Sequence, residues 1–152
     1  MPNIQVNLVR LAPVDRDNYE AVCDLTLHQS QESYLASNLW SLVEASYEPG
    51  CFPRAIYQQE QLVGFIMWVQ ETPQRVSIWR LMVDQQFQQQ GIGRAALKQA
   101  INEIRQMAGV QQIEICYVPA NPVAKDFYAS LGFFETGWDE AGEEMQAVIN
   151  LG

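Results

Sequence analysis

The stretch Leu62-Val63-Gly64-Phe65-Ile66-Met67-Trp68-Val69 constrains the fold more than any other part of the chain. It is an unbroken apolar run with no alternation, so it cannot lie on a sheet with one wet face. It predicts a central strand covered on both sides. The flanking sequence supplies neighbours. Phe52–Gln58 precedes it across a short polar turn, which reads as a hairpin, and Val76–Val83 follows after the break at Pro73.

Cover for the two faces comes from helical patterns before and after these strands. Asp15 or Asp17 is placed to cap a helix through Tyr19, Val22 and Leu25. Ser30 or Ser33 is placed to open a second, with Leu35, Leu39, Leu42 and Val43 at helical spacing and Pro49-Gly50 at its end. Beyond Gly93, the residues Ala96, Leu97, Ala100, Ile101, Ile104 and Met107 recur every three or four positions, an amphipathic helix that Gly109 terminates. Ile4, Val6 and Leu8 alternate as a first strand, and Ile113, Ile115 and Tyr117 as a later one. A short helix from about Pro122 to Leu131 ends at Gly132, and Phe133–Trp138 and Met145–Leu151 finish the sheet. The expected order is β-α-α-β-β-β-α-β-α-β-β. That is an α/β chain of the mixed type, with about seven strands, about four helices on the sheet faces and one domain over residues 1–152.

Composition removes several function classes. At 152 residues the chain is the size of one ordinary domain. No run reaches the roughly 18 apolar residues of a membrane span, and the N-terminus lacks the pattern of a secretory signal. Cys23, Cys51 and Cys116 are too few and too scattered for a metal site or a disulfide framework, which fits a reducing cytoplasm. The formal net charge of −9 comes with no basic patch for nucleic acid. It suits steering of a small cationic substrate, or serves solubility alone.

Two short constellations carry chemistry. Gln88-Gln89-Gln90-Gly91-Ile92-Gly93-Arg94 stands between a strand and a helix. Glycines let backbone approach a ligand, and the first helical turn offers unpaired N–H groups to a pyrophosphate. On its own the pattern is equally a tight strand-to-helix turn. It is not G-x-G-x-x-G, since Ala96 holds the last position, and no Gly-Lys-Ser/Thr follows. The second constellation is Asn121 with Phe127-Tyr128 and Gly132-Phe133. Asn121 and Tyr128 are about two helical turns apart and can share one side of a helix. Read alone, Tyr128 is an ordinary half-buried aromatic.

Together these segments resemble the GNAT superfamily of acyl-CoA N-acyltransferases. Its cofactor motif [QR]-x-x-G-x-[GA] is matched by Gln88, Gly91 and Gly93, and its second motif by Asn121, Phe127, Tyr128, Gly132 and Phe133. The resemblance implies that the backbone of Gln88, Gln89, Gln90, Gly91, Ile92, Gly93 and Arg94 holds the pyrophosphate of acetyl-CoA. It also implies that Met82 and Val83 bond the pantetheine arm through their backbones between splayed strands, and that Asn121, Ala124 and Lys125 complete the cofactor set. Tyr128 becomes the general acid for the leaving thiolate, since a phenol of pKa about 10 is protonated at neutral pH. Glu44, Glu48, Glu71, Glu114 and a water chain all remain open as the route for the amine's proton. No metal is called for. His28 forms no recognisable triad, and Cys116 reads as a small hydrophobe.

For the acceptor, Gln31–Ala45, Trp79–Asp84 and Tyr117–Asn121 look like the bacterial spermine/spermidine (diamine) acetyltransferases. That likeness implies a polyamine held by carboxylates among Glu32, Glu44 and Glu48, with Trp40 and Tyr34 as apolar walls, and a cytoplasmic homodimer. The same acids also read as a solvated helix face. Ribosomal-protein N-terminal acetyltransferases carry a glutamate where this chain has Cys116, and animal diamine acetyltransferases carry an acidic pair where it has Trp79 and Arg80. The alternatives are another small amine, a peptide N-terminus, or a non-catalytic acyl-CoA-binding module. Intact Tyr128 and Asn121 favour the enzyme.

Overall fold

A computed structural model describes residues 8–27, 37–121 and 124–152. The apolar run lies in β3 (Gln61–Thr72). Around it stand β1 (Val9–Pro13), β2 (Cys51–Gln58), β4 (Arg75–Val83), β5 (Gln112–Tyr117), β6 (Phe134–Trp138) and β7 (Met145–Asn150). They form one sheet in the order β1-β2-β3-β4-β5-β7-β6. Every neighbouring pair is antiparallel except β4 and β5, which run parallel. Four α-helices accompany them among the described residues: α1 (Tyr19–Asp24), α2 (Asn38–Tyr47), α3 (Ile92–Arg105) and α4 (Ala124–Ala129). The element order is the one the sequence predicts. No helix among the described residues is long and apolar enough to cross a membrane.

β3 is buried from Val63 to Val69, and its side chains divide between two cores. Val63, Ile66 and Trp68 pack with α3 residues such as Leu97 and Ile104. Phe65 and Met67 pack on the other face with Val22, Ala55 and Met82. Each face is sealed by helices, as an all-apolar strand requires. Gly64 has a packing reason: a Cβ there would stand 2.5 Å from the Met82 carbonyl oxygen, so only glycine lets β3 and β4 close up.

Of three expectations one is corrected, and two fall in part outside the described residues. Among the described residues the first strand is Val9–Pro13. Leu8 is exposed, and Ile4 and Val6 lie outside the described residues. Its register, Val9 against Gln58 through Pro13 against Arg54, puts an edge strand where proline costs no ladder bond on the free side. The cap of α1 is Asn18, and Asp15 instead accepts from the Asp17 and Asn18 amides in the preceding turn. The described helix α2 is capped by Ser37, whose hydroxyl accepts from the Trp40 amide at 3.1 Å, while Ser30 and Ser33 lie outside the described residues.

Helix α2 also turns a different face inward. Asn38 and Ser41 are its buried residues, while Leu39, Trp40, Val43 and Tyr47 are exposed. The polar face is inside because it has bonds to make there. Asn38 Nδ2 donates to the Val22 carbonyl at 2.8 Å, and Ser41 Oγ accepts from Arg80 Nε at 3.0 Å. Helical spacing alone does not reveal a buried hydrogen-bonding face.

Candidate active site

The site is made where β4 and β5 part. They pair from Arg75–Gln112 to Ile78–Ile115 and no further. At that level the register between β3 and β4 jumps from Trp68–Ile78 to Met67–Arg80, leaving Trp79 as an inserted residue. A bulge bends its strand, and here the rest of β4 leaves β5. The insertion also turns two successive side chains to the same side. Trp79 joins the core beneath α1 and α2, and Arg80 reaches α2.

A cavity of about 510 Å³ opens in the gap on the α3 side. Among the residues singled out from sequence, Met82, Val83, Gln88, Gln89, Gly91, Ile92, Gly93, Arg94, Asn121, Ala124 and Tyr128 line it. Gln90 is exposed and absent from the lining. So is Lys125, whose ammonium is 3.5 Å from Glu135. Gly91 caps α3 at φ +82°, a left-handed conformation that glycine adopts without strain, and it has no side chain to cover the first-turn amides. Those amides, at the positive end of a 14-residue helix, border the cavity. The Gln88 side-chain Nε2 donates to the Val83 carbonyl at 2.9 Å and ties the turn to β4. Arg94 turns its guanidinium to Ser130 at 2.6 Å, linking α3 to the end of α4. An anion cradle next to a mostly apolar channel matches the two ends of acetyl-CoA, its pyrophosphate and its pantetheine arm.

The sequence reading did not name Leu27 or Phe87, which also line this cavity. Both are set by Asp84, buried at the end of β4. Its carboxylate accepts from the Thr26 amide at 2.9 Å and the Gln86 amide at 3.0 Å, pinning the segment after α1 to the turn that leads to α3. An aspartate directly after a strand is the available signal for such a cap.

Tyr128 faces the junction. Its ring is stacked on Tyr117 at 5.9 Å and meets Phe127 and Phe133 edge-on at 5.1 and 5.9 Å. Burial pushes its phenol up to about 12. Asn121 lies three residues before α4, in a turn closed by its own amide on the Val118 carbonyl at 2.9 Å, rather than within the helix.

On the opposite side of the gap is a second cavity of about 260 Å³. It shares Leu81, Asn121, Ala124 and Tyr128 with the first and adds Trp79, Arg80, Cys116, Tyr117 and Glu144. The acceptor-side candidates are placed otherwise. Glu44 Oε1 is 2.8 Å from Arg80 Nη2 in a partly buried ion pair, Trp40 and Glu48 are exposed and outside the lining, and Glu32 lies outside the described residues. Cys116, at the rim, has its thiol pushed up to about 11 by loss of solvation and then by the charges of Glu114, Glu144, Asp139 and Glu71.

The family model for the acetyltransferase (GNAT) family matches residues 19–133. The chain belongs to the acetyltransferase (GNAT) family. GNAT acetyltransferases draw their acetyl group from acetyl-CoA and pass it to an amine, and the donor set around the larger cavity fits that co-substrate. A spermine/spermidine N(1)-acetyltransferase of Bacillus subtilis is 28% identical over 145 residues, covering 90% of this chain and 95% of the relative. The crystal structure of spermidine N-acetyltransferase from Vibrio cholerae in complex with CoA and spermine superposes with a TM-score of 0.77 at 15% identity, covering 95% and 96% of the two chains. The ribosomal-protein-S18-alanine N-acetyltransferase of Escherichia coli superposes at 0.69 and 19% identity, covering 94% and 92%. These structural likenesses establish the GNAT fold.

Proposed function

We propose that this GNAT acetyltransferase acetylates a primary amine of a polyamine such as spermine or spermidine. One observation supports the transfer geometry above all others: two cavities on opposite sides of the β4–β5 gap meet at Leu81, Asn121, Ala124 and Tyr128. A donor in one and an amine in the other would approach each other at Tyr128, which converts a bimolecular encounter into a positioned one. The polyamine reading is supported by the 28% identity to the Bacillus subtilis enzyme and by the net charge of −9.

Acetyl-CoA, when bound, supplies the thioester. The first-turn amides of α3 would hold its phosphates, and the stretch of β4 at Met82 and Val83, which no longer pairs with β5, would bind its arm. A backbone N–H near Met82 serves developing negative charge on the carbonyl oxygen. Tyr128 is the hydrogen-bond donor at the sulfur. A phenol held near 12 is a weaker acid than an ordinary thiol of about 8.5. Its contribution is a hydrogen bond that tightens as charge grows on sulfur.

The test is a thiol-release assay with acetyl-CoA against spermine, spermidine, a short diamine, a monoamine and a peptide with a free N-terminus. The expected result is the highest kcat/KM for a polyamine. A tenfold advantage for the peptide or the monoamine would remove the polyamine reading and leave the acetyltransferase in place.

A further inference from the structure

The acceptor-side cavity has an unequal charge lining. Two charged side chains border it, Arg80 and Glu144. Arg80 is neutralised: Glu44 is 2.8 Å from its Nη2, and its Nε and Nη1 donate to Ser41 Oγ and the Trp79 carbonyl at 3.0 and 2.9 Å. Glu144 is half-buried, and among the described residues its carboxylate has no cationic or hydrogen-bonding partner. Two neighbouring acids are engaged: Glu135 lies 3.5 Å from Lys125 and Glu114 lies 3.7 Å from Arg75. Among the side chains that line the cavity, Glu144 is therefore the carboxylate left without a counter-charge, with apolar and aromatic walls in Trp79, Leu81, Val118 and Tyr117.

The loop that carries Glu144 is held in shape. Asp139 Oδ1 accepts from the Glu143 and Glu144 amides at 2.9 and 3.2 Å, and the Asp139 amide donates to the Glu144 carbonyl at 2.9 Å. Immediately after it, Met145 begins β7 in register with Tyr117. Glu144 thus has a backbone fixed from both directions and a side chain on a cavity that ends at Tyr128. A carboxylate taken partly out of water without a partner is unfavourable until a cation arrives.

We propose that Glu144 holds the second, non-reacting ammonium of the acceptor and so sets the preference for diamines and polyamines over monoamines. This rests on the polyamine reading above and assigns its anchor to the loop between β6 and β7 instead of helix α2. The apolar walls take the methylene spacer, and the reacting amine extends to Tyr128.

The experiment compares the unmodified protein, Glu144→Gln and Glu143→Gln with spermidine and with butylamine, at low and at high salt. Glu143 is the exposed neighbour outside the cavity, so its variant makes the same change in net charge without touching the lining. For Glu144→Gln, KM for spermidine rises about tenfold, as expected for loss of one charge-assisted contact, and its salt dependence shrinks. Its kcat, its KM for acetyl-CoA and its kcat/KM for butylamine stay within about twofold, the last three showing that the fold and the transfer step are intact. Glu143→Gln matches the unmodified protein. An unchanged spermidine KM in Glu144→Gln, or an equal rise in Glu143→Gln, overturns the anchor while spermidine remains the preferred acceptor. Failure of the unmodified protein to prefer spermidine over butylamine overturns the polyamine reading, and the anchor with it.

Discussion

The cavity on the α3 side is bordered mainly by one nearly continuous piece of chain, from Leu81 at the end of β4 to Arg94 in α3, closed by Asn121, Ala124, Phe127 and Tyr128 and by Leu27 after α1. The cavity across the gap is assembled from Trp79 and Arg80 in β4, Cys116 and Tyr117 in β5, and Glu144 before β7. The first relies on backbone amides and small residues, which fit a phosphate whatever else the enzyme does. The second relies on side-chain charge, whose balance is set elsewhere in the fold, as it is for Arg80 by Glu44. A shared co-substrate is read by local geometry, and a particular acceptor by tertiary arrangement.

Variants can attack this contrast at its junction or on one side at a time. Tyr128 belongs to both cavities, so Tyr128→Phe lowers kcat by about 10²-fold while KM changes little on either side. A single-turnover measurement checks it. Wild-type turnover in that variant would leave the junction without its donor. Gly91→Val acts on the cofactor side alone. A β-branched residue at φ +82° costs about 1–2 kcal/mol and crowds the amide cradle. The expected outcome is a fall of at least about tenfold in acetyl-CoA affinity by calorimetry, with the spread among amines unchanged. A Gly91→Val protein that changed its choice of amine would break the comparison.

Glu44→Gln tests the other side. It leaves the partly buried Arg80 guanidinium without its ion pair at 2.8 Å. The expected loss is about 1 kcal/mol of stability by denaturant unfolding, together with weaker use of cationic amines, because the acceptor cavity then carries an uncompensated positive charge. Acetyl-CoA affinity should not move. The smallest effect is alkaline. Burial raises the Tyr128 phenol above its ordinary value, to about 12, so the native state holds that proton more tightly than the unfolded chain. The associated stability is complete below about pH 10 and is lost as pH rises through about 12. Thermal unfolding between these values should therefore fall more steeply in the wild type than in Tyr128→Phe. An activity limb at pH 9–10 that vanished in Tyr128→Phe would contradict the raised value.

What could be read from the residues divides along the same line. The all-apolar run announced β3, and the three- and four-residue steps announced α3, because burial on two faces or on one stripe leaves a local trace. The left-handed Gly91 and the Asn121–Tyr128 pair were likewise visible, since backbone conformation and short spacing are local. Helix α2 was misread in its orientation. The bonds that draw Asn38 and Ser41 inward run to Val22 and Arg80, and no spacing within the helix encodes them. For the same reason Glu44 read as one candidate anchor among several acids, although its guanidinium partner lies 36 residues away. Glu144 could not be weighed at all without knowing which strand its loop faces. The bulge at Trp79, which opens the gap, is a mismatch in register and exists only once β3 and β4 are paired.

The raised thiol of Cys116 bears on chemoselectivity. In the transfer geometry proposed above, a cysteine in the lining of the second cavity would stand beside the path of the acetyl group. As a thiolate it would compete with the amine and become a dead-end thioester. With the thiol pushed up to about 11, roughly one molecule in 10⁴ carries the thiolate at pH 7. Loss of solvation, and after it the surrounding carboxylates, hold the sulfur protonated, so the same acids that would draw a cationic amine also hold back the competing nucleophile.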